Sequence, residues 1–300
     1  MVNSTSERIK NVAFIGLGAM GYPMAGHLLR SGFNVVVFNR TPEKSDRWSN
    51  EHQGEVATSL RGASAEADVV FVCVGNDDDL RSVCTGHDGL IEGMRPGSLL
   101  VDHTTTSAVV AREVCAIASK AGVRFLDAPV SGGQLGAEKG VLTVMMGGDE
   151  ADFRVVQPVI KSYARAVTLM GEVGSGQLTK MVNQISIAGL IQSLSEALVF
   201  AEEAGLDGKR VVDVISQGAA QSWQMDNRGK TMLDDQFDFG FAVDWMRKDL
   251  AICIDEADAM NLPLPVASLV DQYYTQIQKM GGGRWDTSSL IKIVRNNKTN

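Results

Sequence analysis

A short apolar run at residues 11–15 breaks into Gly16-Leu17-Gly18-Ala19-Met20-Gly21 and passes at once into a helical pattern over 19–30. No other feature of the chain constrains its fold as tightly. A glycine turn between a strand and a helix reverses the chain sharply and lays the helix back across the strand.

The rest of the first half repeats that alternation. Residues 34–38, 69–74, 99–102, 124–127 and 142–146 read as further strands, with helical spacing at 107–121 and 150–163. Their apolar residues run on continuously rather than alternating with polar ones, which implies that both faces of the sheet are covered. The expectation is a mostly parallel, doubly wound α/β sheet. With 300 residues, 44% of them hydrophobic and 21% charged, the chain has material for two domains of ordinary size.

The second half changes character after Gly174. A long helical segment is expected from 177 to about 204, then further helices at 209–217, 243–260, 265–280 and 288–294. This places an all-helical domain at 175–300, following the α/β domain at 1–174. Gly281-Gly282-Gly283 reads as a loop.

In the glycine segment, Gly16 suits a tight turn and Gly18 lets backbone approach a pyrophosphate. Gly21 suits close packing of helix on sheet, and the helix start supplies partial positive charge. The end of the second strand reads Asn39-Arg40-Thr41. An acidic residue there would bond a ribose 2′-hydroxyl, whereas Arg40 pairs with a 2′-phosphate, with Asn39 and Thr41 as neutral donors. NADP is therefore expected over NAD.

Two further segments carry chemistry. Asp127-Ala128-Pro129-Val130-Ser131-Gly132-Gly133 follows the fifth strand, and its hydroxyl and bare N–H groups suit a carboxylate. Lys180 lies early in a mostly apolar helix, where burial and the helix dipole both disfavour its charge and bring it toward acid–base use. Asn183 and Gln184 fall one turn on, on the same face. His103, after a strand end, is a less favoured base. Trp223 reads equally as a pocket wall or a core residue, and Asp77-Asp78-Asp79 as a solvated helix start.

Together these segments, with Lys248-Asp249-Leu250, resemble the β-hydroxyacid dehydrogenase family, which includes 3-hydroxyisobutyrate dehydrogenases, tartronate semialdehyde reductases and glyoxylate/succinic semialdehyde reductases. The resemblance runs over nearly the whole chain. It implies a Rossmann-type first domain and NADP-linked interconversion of a small 3-hydroxy acid and its semialdehyde. It also implies Lys180 as acid/base, and Ser131, Gly132 and Gly133 on the substrate carboxylate. Thr105 and Lys248 then touch the nicotinamide half of the cofactor, and Val74, Gly75 and Asn76 line the dinucleotide. Many members have asparagine where this chain has Gln184, an amide that helps bind substrate; the extra methylene alters the pocket.

Other classes fit less well. With 28 basic and 36 acidic residues the net charge is −8, which disfavours a nucleic-acid partner. No uninterrupted apolar run approaches bilayer length, and no signal-like segment opens the chain. The four cysteines lack CxxC pairing; Cys73, within an apolar run, reads as a buried hydrophobe. No metal is expected, and a reduced, cytoplasmic setting is. A non-enzymatic dinucleotide-binding module would not need both Lys180 and the Ser131 loop. A sugar-phosphate oxidative decarboxylase would need a larger helical domain and a cationic cluster. Imine reduction is disfavoured because such enzymes usually lack a lysine at this place. Apolar residues on several faces of the long helix, among them Leu190, Ile191, Leu194, Leu198, Val199 and Phe200, suggest a homodimer or homotetramer.

Overall fold

The computed structural model describes residues 9–296. The chain forms two compact units, one running to Lys180 and the other from Met181 onward. The division falls inside one continuous helix, a few residues beyond the expected boundary at 174.

In the first unit the strands among the described residues are β1 (Asn11–Ile15), β2 (Asn34–Phe38), β3 (Glu55–Val56), β4 (Val69–Val72), β5 (Leu99–Asp102), β6 (Arg124–Asp127), β7 (Val130–Ser131), β8 (Leu142–Gly148) and β9 (Ala164–Gly171). Their order is β3-β2-β1-β4-β5-β6-β8-β7, with β9 on β8. Pairing is parallel from β3 through β6, antiparallel from β6 and β7 to β8, and parallel again from β8 to β9. The helices are α1 (Gly21–Arg30), α2 (Pro42–His52), α3 (Leu60–Ser64), α4 (Asp77–Thr85), α5 (Leu90–Gly93), α6 (Ala108–Lys120), α7 (Gly133–Glu138) and α8 (Glu150–Ile160).

The unbroken apolar strands have the predicted consequence. Val12, Phe14, Val69, Phe71, Leu99 and Val101 bury in one core cluster. Their neighbours Ala13, Ile15, Val70, Val72 and Leu100 bury in a second. Successive side chains point to opposite faces, so two separate clusters mean that helices cover both sides. Three strands escaped the sequence reading: β3 and β7 are two residues each, and β9 is an edge strand with mixed exposure. Cys73, one residue past the end of β4, is only half-buried and packs at the margin of the first cluster.

The second unit continues α9 (Ser175–Glu203) and adds α10 (Gly208–Ile215), α11 (Trp223–Leu233), α12 (Val243–Ala259), α13 (Pro265–Lys279), a 3-10 turn at Thr287–Leu290 and α14 (Ile291–Asn296). By length and composition alone α9 could cross a membrane, but half of its most apolar window is buried inside the protein. Four of the six residues read as an oligomer surface are core instead. Ile191 packs in one cluster and Leu194, Leu198 and Val199 in another. Leu190 and Phe200 do face solvent, 44% and 74% exposed, as does Val182 at 65%.

Candidate active site

The glycine turn after β1 separates what the fold needs from what it leaves open. Gly16 has φ +95°, and a Cβ there would lie 2.2 Å from the Cys73 carbonyl oxygen. A Cβ on Gly21 would lie 2.0 Å from the Gly16 carbonyl oxygen. Both glycines are therefore demanded by the turn itself. Gly18 is exposed and a Cβ there meets nothing within 4 Å, so no protein atom requires it to be bare. The start of α1 has Met20 as N-cap, no side-chain cap bond and no acid in its first turn. An open approach to a helix start that no side chain caps is what a dinucleotide pyrophosphate needs, so the residues present fit that cofactor. Leu17, Ala19 and Met20 complete the loop, and the Leu17 N–H donates to Asn39 Oδ1 at 2.9 Å.

That bond changes the role of Asn39. Its oxygen accepts from Leu17 and its Nδ2 donates to the Thr41 carbonyl at 3.0 Å, so the amide braces the loop. The expected anion donor is thus engaged within the protein. Arg40 and Thr41 are both exposed, and Arg40 pairs with Asp79 at 3.2 Å. Asn76 is similarly employed: its Oδ1 caps α4 by accepting from the Asp79 N–H at 2.8 Å. Asp77, in that first turn, accepts from the Ser107 hydroxyl at 2.5 Å and its N–H at 3.0 Å, tying the starts of α4 and α6 together. Val74 and Gly75 are half-buried beside them, with the Val74 N–H donating to Thr104 Oγ1 at 3.0 Å. Thr105 is half-buried.

His103 is excluded as a base. Nδ1 lies 2.6 Å from the Ala128 carbonyl, which only accepts, so Nδ1 carries the proton. Nε2, 2.8 Å from the Tyr163 hydroxyl, then accepts. The ring stacks on Phe71, and burial pulls its pKa down to about 4. It is a neutral core residue with both nitrogens used.

The Asp127-to-Gly133 segment does two things. Asp127, wholly buried at the end of β6, accepts from the Gly174 N–H at 2.7 Å and the Gln177 N–H at 2.9 Å. Its carboxylate thus caps the start of α9 from a strand distant in sequence. A few residues on, Ser131 ends β7 half-buried, and Gly132 and Gly133 follow with φ +133° and +62°. Both glycines adopt backbone that other residues avoid, and a Cβ on Gly133 would meet nothing within 4 Å. Gln177 is itself buried, donating through Nε2 to the Thr104 carbonyl at 2.7 Å and accepting from the Thr106 N–H at 3.1 Å. Lys180, one turn further along α9, is 7% exposed.

In the second unit the amides continue along α9. Asn183 Nδ2 donates to Gln184 Oε1 at 2.7 Å, and Gln184 Nε2 donates to Asp249 Oδ2 at 2.6 Å. The other Asp249 oxygen is 3.0 Å from Lys248 Nζ. Gln184 is buried and spent on Asp249, so Asn183 is the more accessible of the two amides. Sequence reasoning passed over Asp127, Gln177 and Asp249, although Asp127 and Asp249 stood inside quoted motifs. Trp223 is 46% exposed with the Arg228 guanidinium 5.0 Å from its ring centre, which removes the core reading. Among the described residues no group of three His, Cys, Asp or Glu side chains is placed to hold a metal.

A doubly wound sheet with an open glycine turn, joined to a helical unit through a helix bearing a buried lysine, defines a dinucleotide-binding oxidoreductase. Comparison with known proteins sharpens that class. Residues 11–171 match the model for the NAD-binding domain of 6-phosphogluconate dehydrogenase, and residues 174–294 that for the NAD-binding domain of NADP-dependent 3-hydroxyisobutyrate dehydrogenase. The chain is 58% identical to an uncharacterized oxidoreductase of Shewanella frigidimarina, over 96% of this chain and 99% of that one. It is 40% identical to a probable 3-hydroxyisobutyrate dehydrogenase-like protein of Arabidopsis thaliana, over 93% of this chain and 84% of the relative. The solved 3-hydroxyisobutyrate dehydrogenase of Mycobacterium tuberculosis with L-serine superimposes with a TM-score of 0.86 at 31% identity, covering 96% of this chain and 99% of that one. The chain belongs to the family of NAD(P)-dependent 3-hydroxyisobutyrate dehydrogenase-like oxidoreductases, which act on CH–OH groups.

Proposed function

We propose that this enzyme interconverts a small 3-hydroxy acid and its semialdehyde, such as 3-hydroxyisobutyrate or tartronate semialdehyde and their partners, using NADP in preference to NAD. One observation carries the reading. A single segment, Asp127 to Gly133, holds the start of the helix bearing buried Lys180 and also presents the Ser131-Gly132-Gly133 edge. The M. tuberculosis relative supports the substrate class, since L-serine is itself a 3-hydroxy carboxylate.

The cofactor would be held by the Gly16–Gly21 loop and by Arg40 and Thr41 at the 2′-phosphate, with Val74, Gly75 and Asn76 lining the dinucleotide and Thr105 at its nicotinamide half. When bound, it gives or takes the hydride. In reduction the Lys180 ammonium hydrogen-bonds the carbonyl oxygen and delivers its proton there as negative charge develops; in oxidation the amine removes the hydroxyl proton. The Ser131 hydroxyl and the N–H groups of Gly132 and Gly133 hold the carboxylate. Asn183 orients the substrate from the same helix, and Gln184 braces Asn183 through the bond between their amides. The carboxylate is then a required handle, and plain aldehydes are poor substrates.

Lys180→Ala tests the mechanism: kcat should fall by roughly 100- to 10,000-fold, the usual span of general acid–base catalysis, with NADPH binding retained. Near-wild-type turnover would overturn it. A panel of short 3-hydroxy acids and semialdehydes run with both cofactors names the substrate. The exposed Val182, Leu190 and Phe200 support assembly as a homodimer or homotetramer; a monomeric mass in light scattering would remove that part.

A further inference from the structure

We infer that Asp127 is a positioning residue for the reaction: its buried carboxylate sets the start of α9 and, with Gln177, ties the turn that presents Lys180 to the loop at 104–106. The inference rests on the reading of Lys180 as the acid/base.

Three independent features carry it. Both carboxylate oxygens are committed to the start of α9, one to the Gly174 N–H and one to the Gln177 N–H. Bare backbone surrounds them. A Cβ on Gly147 would lie 2.5 Å from Oδ1, and one on Gly176 would lie 2.7 Å from Oδ2. Finally, the residue that Asp127 grips by its N–H extends the chain with its own side chain. Gln177 donates to the Thr104 carbonyl and accepts from the Thr106 N–H. Lys180 follows Gln177 by one helical turn, so a displacement at Gln177 moves the Lys180 stem directly.

The electrostatics agree. A lysine in the second turn of a helix opposes the macrodipole, and a carboxylate at the helix start offsets that field. Burial pushes the Asp127 carboxyl above its usual range, while the N–H groups of Gly174, Gln177 and Gly176 pull it back. A buried anion held by backbone N–H groups, most of them at the start of α9, is costly to retain for packing alone.

Asp127→Asn tests the inference, since it keeps the shape and turns one acceptor into a donor facing an N–H. We expect kcat to fall about 10- to 100-fold with substrate KM little changed, the scale of a small misplacement of a reacting group. NADPH affinity, read by fluorescence titration, should stay within about threefold. Hydrogen exchange should quicken over residues 174–180. In a Lys180→Ala background the same change should alter the residual rate by less than about threefold, because Asp127 acts through Lys180. Wild-type kcat in Asp127→Asn, or losses that multiply in the double variant, would overturn the proposal and leave the role of Lys180 standing. Wild-type kcat in Lys180→Ala would instead overturn the reading beneath it. If Asp127→Asn does not fold, Gln177→Glu serves. It retains the acceptor for Thr106 and sets a carboxylate against the Thr104 carbonyl, and it should show the same split between kcat and KM.

Discussion

The starts of α1 and α9 are both helix N-termini that end a glycine-bearing turn, yet they are finished in opposite ways. At α1 no side chain caps the helix, no acid stands in the first turn, and Gly18 faces open space. At α9 a carboxylate from β6 fills the equivalent position with two hydrogen bonds, and glycines crowd around it. The same partial positive charge is present at both. One end keeps it available to an anion from outside; the other neutralises it with an anion of the protein's own. An open start suits binding, and a closed one suits holding a helix still. Lys180 is carried by the closed one.

Closing the open end should have the largest effect. Gly18→Asp places a side chain where nothing obstructs it, so the melting temperature should hold. NADPH affinity should drop by about a hundredfold or more, roughly 2.7 kcal/mol, as the new carboxylate meets the phosphates. Retained affinity in a fluorescence titration would show that the pyrophosphate lies elsewhere. Crowding the closed end comes next. A Cβ on Gly176 would lie 2.5 Å from the Met145 carbonyl oxygen and 2.7 Å from Asp127 Oδ2. Gly176→Ala should therefore cost about 2 kcal/mol in a denaturant titration, the scale of overpacking. Gly18→Ala, run beside it, should cost under about 0.5 kcal/mol. Equal losses would erase the contrast. A smaller loss of binding than at Gly18→Asp is expected at the rim of the open end. Arg40→Ala should weaken NADPH about tenfold, roughly 1.4 kcal/mol, and leave NADH nearly unchanged. Loss of both cofactors alike would take the 2′-phosphate away from Arg40.

Much of this architecture was legible in the residues. The bounds of β1, β2, β5 and β6 agree with the expected runs, because strands covered on both faces are apolar through their middles and carry polar residues such as Asn11, Asn34, Asp102 and Asp127 only at their ends. The glycine turn declared itself through spacing, and α9 through its length. Less visible was α11, whose buried face includes Arg228; the guanidinium is accommodated there by Asp286, which pairs with it at 3.0 Å, and by the rings of Trp223 and Phe239. The edge strand β9 was equally hidden, since its pattern acquires meaning only from pairing with β8.

The site divides along the same line. Gly16, Gly18 and Gly21, the Ser131 loop and Lys180 were nameable from the chain, because each rests on local backbone freedom or on helical spacing. What Asn39, His103, Asp127, Gln177 and Gln184 do was decided by tertiary structure. Asn39 braces a loop, His103 bridges Ala128 and Tyr163, and Gln184 is spent on Asp249. The reason is physical. A buried polar side chain must find a partner, but its chemistry specifies only donor or acceptor. Which N–H or carbonyl supplies the other half depends on packing that brings residues together from far apart in sequence, as Asp127 meets Gly174.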